Sequence, residues 1–80
     1  MRVIVIDDEN QGREMLISIL KKEFTELTIV AEASTAFDAR IMILEHKPDL
    51  VFLDINMPML NGFDLIQSFA HKSFYFIVVS

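Results

Sequence analysis

Eighty residues suffice for one small domain, of a size that buries only about 60–65% of its extended-chain surface. Twelve acids against seven bases leave a formal charge of −5, which argues against this segment gripping phosphate backbones by itself. The absence of cysteine excludes disulfides and thiolate metal sites, and 52% hydrophobic residues with only two Gly and two Pro describe a globular chain.

Met1-Arg2 leads at once into a short apolar run, Arg2-Val-Ile-Val-Ile6, that stops at Asp7-Asp8. The run is too short for a signal peptide, and no stretch is long enough to span a membrane, so a cytoplasmic protein without membrane contact is expected. Its unbroken β-branched apolarity predicts a strand covered on both faces, as in a parallel sheet. Asp8 or Asn10 is placed to cap a helix over 11–23, where Met15, Leu16, Ile19 and Leu20 form the inward stripe and Arg13, Glu14, Lys21 and Lys22 lie off it. Met15 is accordingly expected in the core, and Phe24 is expected to pack where the helix ends.

Residues 27–31 predict a second strand, shorter and more alternating and therefore nearer an edge. Ser34 or Thr35 then caps a helix running to about His46, with Ala36, Ala39, Ile43 and Leu44 inward and Phe37, Ile41 and Met42 widening the stripe. Lys47-Pro48-Asp49 ends it, because proline disfavours helical geometry in the residue before it. The third strand, 50–53, delivers Asp54 to its last position, and Pro58 forbids a regular strand beyond it. Asn61-Gly62 signals a turn, 63–70 a third helix with Leu65, Ile66 and Phe69 inward, and 74–79 a fourth apolar strand. The β-α-β-α-β-α-β alternation predicts a doubly wound parallel α/β sheet of order 2-1-3-4 with right-handed crossovers.

In that order the first and third strands are neighbours at the topological switch point, where ligands sit outside the carboxyl ends of the strands. Asp7, Asp8 and Asp54 therefore converge. At about 4 Å and an effective dielectric near 20, each carboxylate pair repels by roughly 4 kcal/mol. Either some of these groups take up protons or a divalent cation sits among them. All-oxygen donors point to a hard ion, Mg²⁺ before Zn²⁺, which in turn seats phosphoryl groups. Taken alone, an Asp-Asp pair after a strand is as readily a helix-capping turn; the coincidence with Asp54 favours a site. His46 and His71 lie near helix ends and read as solvated or dipole-facing rather than catalytic.

The stretches Val3-Ile-Val-Ile-Asp-Asp-Glu9, Lys47-Pro-Asp-Leu-Val-Phe-Leu-Asp-Ile-Asn-Met-Pro58 and Asn61-Gly-Phe-Asp-Leu-Ile66 together resemble the receiver domain of two-component response regulators. The resemblance implies a flavodoxin-like fold. It also implies that Asp54 accepts a phosphoryl group from a histidine kinase or phosphotransfer protein. Asp7 and Asp8 match the pair that holds Mg²⁺, with Asp8 favoured as the direct ligand, and Asn56 matches the position whose main-chain carbonyl completes the metal shell. Ser80 matches the hydroxyl residue that meets the phosphoryl group.

By the same resemblance the chain reads as a receiver truncated after its fourth strand, the N-terminal two-thirds of the domain over 1–80. The lysine and switch aromatic of the family's fifth strand have no counterpart here. Such a truncation leaves 74–79 as an apolar edge and a sheet face open, so self-association is expected. Two other functions fit the residue types: a receiver-like dimerisation module that never takes phosphate, and a Mg²⁺-dependent phosphatase or phosphomutase. The latter resemble Asp-x-Asp at the first strand, whereas the pair here is adjacent. The style of the motifs looks like that of regulators with a DNA-binding output of the LytTR type, so nucleic acid enters only through an output domain outside these residues.

Overall fold

Four apolar runs pair side by side in parallel and leave their polar ends together, which is what the alternation of the sequence demands. The computed structural model describes residues 1–54 and 74–79. Its elements are β1 (Arg2–Ile6), α1 (Asn10–Glu23), β2 (Thr28–Ala33), α2 (Ala36–His46), β3 (Leu50–Asp54) and β4 (Tyr75–Val79). The expected turn at Asn61-Gly62 and helix over 63–70, together with Asn56, His71 and Ser80, lie outside the described residues.

The sheet order is β2-β1-β3-β4, all neighbours parallel, as expected for a doubly wound, flavodoxin-like sheet. Central β1 is the anchor: Val3, Ile4, Val5 and Ile6 are all essentially inaccessible to solvent. Alternation sends Ile4 and Ile6, with Val51 and Leu53 of β3, against Ala36, Ala39 and Ile43 of α2. Val3 and Val5 go to the other face, against Leu20 of α1 with Leu16, Ile17 and Phe52 around them. Two apolar layers on one strand explain why β1 has no polar position to spare.

The helices differ from their expected stripes in instructive ways. Met15 is 65% exposed and Ile19 46%, so neither is core. The inward line of α1 runs instead through Leu16, Ile17 and Leu20, with the half-buried Arg13 at its head. Leu16 and Leu20 keep their expected places, while Arg13 and Ile17 stand where Met15 and Ile19 were expected, giving an i, i+3, i+4, i+7 line. In α2 the small residues Ala36 and Ala39 let the helix sit close to the sheet, and only Ile43 joins them as buried. Leu44, Phe37 and Ile41 are exposed, while Met42 packs at the margin of the core. Phe24 stands at the C-cap of α1 and is also exposed.

Neither expected N-cap of α1 serves as one. Glu9 occupies the cap position without a side-chain bond, and Asn10 is already helical. Asp7 takes over part of that work, its Oδ1 accepting the Glu9 amide hydrogen at 2.9 Å in a local turn. For α2 the cap is Thr35, whose Oγ1 accepts from the Asp38 amide at 3.0 Å. Strand β2 begins and ends later than its apolar run suggested, because the β1 ladder continues along it through Glu32 and Ala33. No helix among the described residues is long and apolar enough to cross a membrane.

Candidate functional site

Register brings the acids together. Ile6 of β1 lies opposite Leu53 of β3, so the next residue on each strand, Asp7 and Asp54, emerges at the same level. The Asp7 amide still donates to Ala33 O at 3.0 Å, which extends the β1–β2 ladder to the carboxyl end. Asp7, Asp8 and Asp54 each place a carboxylate oxygen within 4.8 Å of the others; Asp7 and Asp54 are half-buried and Asp8 is exposed. The convergence expected from the sequence is thus present for these three residues. Asn56 and Ser80, the remaining expected members, lie outside the described residues.

The electrostatics of the cluster fall on Asp7. Burial pushes its carboxyl above the ordinary carboxylate value, the charge of Asp54 and a hydrogen bond with it push the same way, and Asp8 adds to this, while the Glu9 amide pulls it down. Gly12 makes room for this group: a Cβ there would stand 2.8 Å from Asp7 Oδ2. The first turn of α1 therefore lies directly against the carboxylate, and that turn carries no acid of its own. Beside the cluster a cavity of about 270 Å³ runs between Gly12, Met15 and Ile19 of α1 and Asp54 and Val79 of the sheet.

Two residues of this site are missing from the sequence reading. Arg13 was placed off the helix stripe, yet it is half-buried and its guanidinium donates to the Asp7 carbonyl, Glu32 and Asn10. Its position three and seven residues before Leu16 and Leu20 is the signal that could have found it. Gly12 also left a trace, since a glycine inside a helix costs about 1 kcal/mol relative to alanine and marks a close approach.

Three carboxylates and no nitrogen or sulfur donor make a set suited to a hard divalent cation. Octahedral Mg²⁺ at about 2.0–2.1 Å from its ligands spaces them roughly 3–4 Å apart. The cluster, with its carboxylate oxygens within 4.8 Å of one another, is compatible with ligands around one such ion. The donor set fits Mg²⁺.

A parallel 2-1-3-4 sheet with helices packed on both faces and an acidic pocket at its carboxyl end defines a flavodoxin-like fold. The chain belongs to the response regulator receiver domain family, whose model matches residues 3–80. It is 44% identical over 78 residues to an uncharacterized response regulatory protein of Yersinia pestis, covering 98% of this chain and 32% of that protein. It is 41% identical over 71 residues to the sensory transduction protein LytT of Enterococcus faecalis, covering 89% of this chain and 29% of the relative. The chain thus spans about a third of the length of these curated relatives. Among solved structures, the response regulator domain of Thermotoga maritima CheB superposes with a TM-score of 0.88 at 32% identity, over all of this chain and 60% of that one. The response regulatory domain of mrkE from Klebsiella pneumoniae does so at 0.81 and 31% identity, over 98% and 65%.

Proposed function

We propose that this chain is the N-terminal two-thirds of a phosphoacceptor receiver domain, with Asp54 as the residue that carries the phosphoryl group. The observation that carries this reading is the meeting of Asp54 with Asp7 and Asp8 at adjacent strand ends in a chain of this family. A carboxylate oxygen of Asp54 attacks phosphorus in line, the phosphorus–nitrogen bond of a donor phosphohistidine breaks, and the imidazole leaves with its electron pair. The product is an acyl phosphate on Asp54. Asp7, Asp8 and Asp54, with the main-chain carbonyl of Asn56, are the residues that would hold Mg²⁺. Bound there, the ion neutralises charge on the transferring group. Ser80 is assigned the hydroxyl that answers the new phosphoryl oxygens, the local electrostatic event from which a receiver's switch proceeds.

In this reading the chain is a signalling module rather than a turnover enzyme, its donor a histidine kinase or phosphotransfer protein and its setting the cytoplasm. Any transcriptional output belongs to another domain. The test is phosphotransfer from a phosphorylated kinase with and without Mg²⁺, with mass spectrometry locating the label. Label on Asp54, lost in Asp54→Asn and dependent on Mg²⁺, is the expected result. Label elsewhere, or equal label in Asp54→Asn, refutes it.

Self-association through β4 has its own support. Among the described residues β4 pairs with β3 alone, it carries no charge, and Tyr75 is 76% exposed with Ile77 and Val78 also open. Light scattering of the 80-residue chain is expected to show dimers or larger species at high micromolar concentration; a monodisperse monomer refutes this.

A further inference from the structure

Arg13 is bonded to the backbone behind the acidic cluster and has no role in the phosphoacceptor reading. Its Nη1 donates to the main-chain carbonyl of Asp7 at 2.8 Å, Nε to Glu32 Oε1 at 2.7 Å and Nη2 to Asn10 Oδ1 at 2.6 Å. One planar group thereby ties the carboxyl end of β1 to the carboxyl end of β2 and to the first turn of α1. The Arg13 side chain is only 13% exposed while that of Glu32 is 51% exposed, and of the three bonds the one to the Asp7 carbonyl is the most sheltered. None of the three recorded contacts goes to a carboxylate of the acidic cluster. The guanidinium holds the backbone from which Asp7 and Asp8 project and directs its charge into Glu32.

We propose that Arg13 is a positioning residue for the metal pocket, fixing the peptide unit between Asp7 and Asp8 through the Asp7 carbonyl. The inference rests on the reading of that pocket as a Mg²⁺ site. The chain folds directly from β1 into α1 across three acidic residues, Asp7 to Glu9, of which Asp7 and Asp8 bring their carboxylates to the cluster with Asp54. A fork with donors in fixed geometry suits this task, and a lysine, with one rotatable ammonium, does not replace it.

The sign of the effect separates positioning from charge. Were Arg13 acting as a nearby cation, its removal would make the pocket more negative and Mg²⁺ would bind more tightly. Were it only a structural tie, the variants would melt earlier while the folded protein bound Mg²⁺ unchanged. Positioning predicts weaker binding by about tenfold, the loss typical when an outer-shell partner of a metal ligand is removed.

The experiment is calorimetric titration of the 80-residue chain with Mg²⁺, for wild type, Arg13→Gln and Arg13→Lys, at a temperature where circular dichroism shows each folded. Hydrogen exchange of the Glu9 amide, which reports the turn that Asp7 Oδ1 closes, is followed alongside. Expected are a Kd raised about tenfold in Arg13→Gln, a smaller rise in Arg13→Lys, and faster Glu9 exchange in both. Unchanged or tighter Mg²⁺ binding in the folded variants overturns the proposal. If Arg13→Gln does not fold, Arg13→Lys decides alone by the same criterion. Absence of Mg²⁺ binding by the wild type overturns the metal reading itself and this inference with it, and is told apart by needing no variant.

Discussion

At the amino end of the strands Asp49 accepts the Arg2 amide hydrogen at 2.7 Å, and the Arg2 guanidinium donates to the His46 carbonyl at 3.1 and 2.7 Å. Arg2 O in turn accepts from the Asp49 amide at 2.8 Å, and Asp49 O accepts from Tyr75. At the carboxyl end three carboxylates crowd within 4.8 Å, and the neighbouring guanidinium of Arg13 is spent on a main-chain carbonyl, Glu32 and Asn10. One end matches donors with acceptors and locks the strands; the other gathers like charge and raises the proton affinity of Asp7. The same four strands thus separate a structural end from a reactive one, which is the division expected where ligands bind outside the carboxyl ends of a parallel sheet.

That separation depends on β3 being rigid between its two ends. Leu53 is buried between Ile4, Ile6 and the α2 face, one residue before Asp54. Leu53→Ala should cost about 2–5 kcal/mol, much of the total stability of a domain this small. Urea denaturation is the measurement, and a loss under about 1 kcal/mol would mean that β3 is not the rigid bar joining the ends.

The two ends should then respond to charge removal with opposite signs. Asp49→Ala removes the acceptor of a charge-assisted bond on an exposed site and should lower stability by about 1 kcal/mol. Asp54→Asn relieves repulsion and should raise the stability of the metal-free protein. In excess Mg²⁺ the order should change, because only the wild type gains the full stabilisation by ligand binding. Equal losses from both variants without metal would erase the contrast between the ends.

A finer test is pH. Asp7 has its folded-state pKa above the unfolded value, so between those two values the native state binds more protons than the unfolded chain. The Asp7 contribution to stability therefore falls as pH rises through that window and stays low above it. The difference in unfolding free energy between wild type and Asp7→Asn should follow this curve, and Mg²⁺, which competes with the proton, should stabilise more at the upper end of the window. A flat difference would remove the electrostatic part of the account.

Much of this was legible in the sequence because the fold repeats one pattern. Short, unbroken β-branched runs such as Val3 to Ile6 favour strands covered twice, and acids at the ends of two neighbouring parallel strands emerge at the same end of the sheet. What escaped was side-chain direction on the helices. Met15 and Leu16, or Leu44 and Ile43, are equally apolar, and one residue of rotation decides which is buried. Ala36, Ala39 and Ile43 are buried on α2 as their spacing foretold, whereas Leu44, placed with them, is exposed. Arg13 escaped for the opposite reason, since a charge on a helix is assumed to be solvated until a carbonyl and an acid are placed around it in three dimensions.

The smallest expected effect returns to the structural end. Lys47 closes α2 in the left-handed region at φ 47°, its amide donating to Ile43 O at 3.0 Å, immediately before Pro48 and the strand that begins at Leu50. A side chain there costs roughly 1 kcal/mol relative to glycine, and the position is the usual C′ site of helices. Lys47→Gly should therefore stabilise the domain by about 0.5–1 kcal/mol, less whatever the freer unfolded chain gives back. Since the substitution lies at the far end of β3 from Asp54, Mg²⁺ affinity should not move. A change in both together would mean that the strand transmits strain from one end to the other, and that the two ends are not independent.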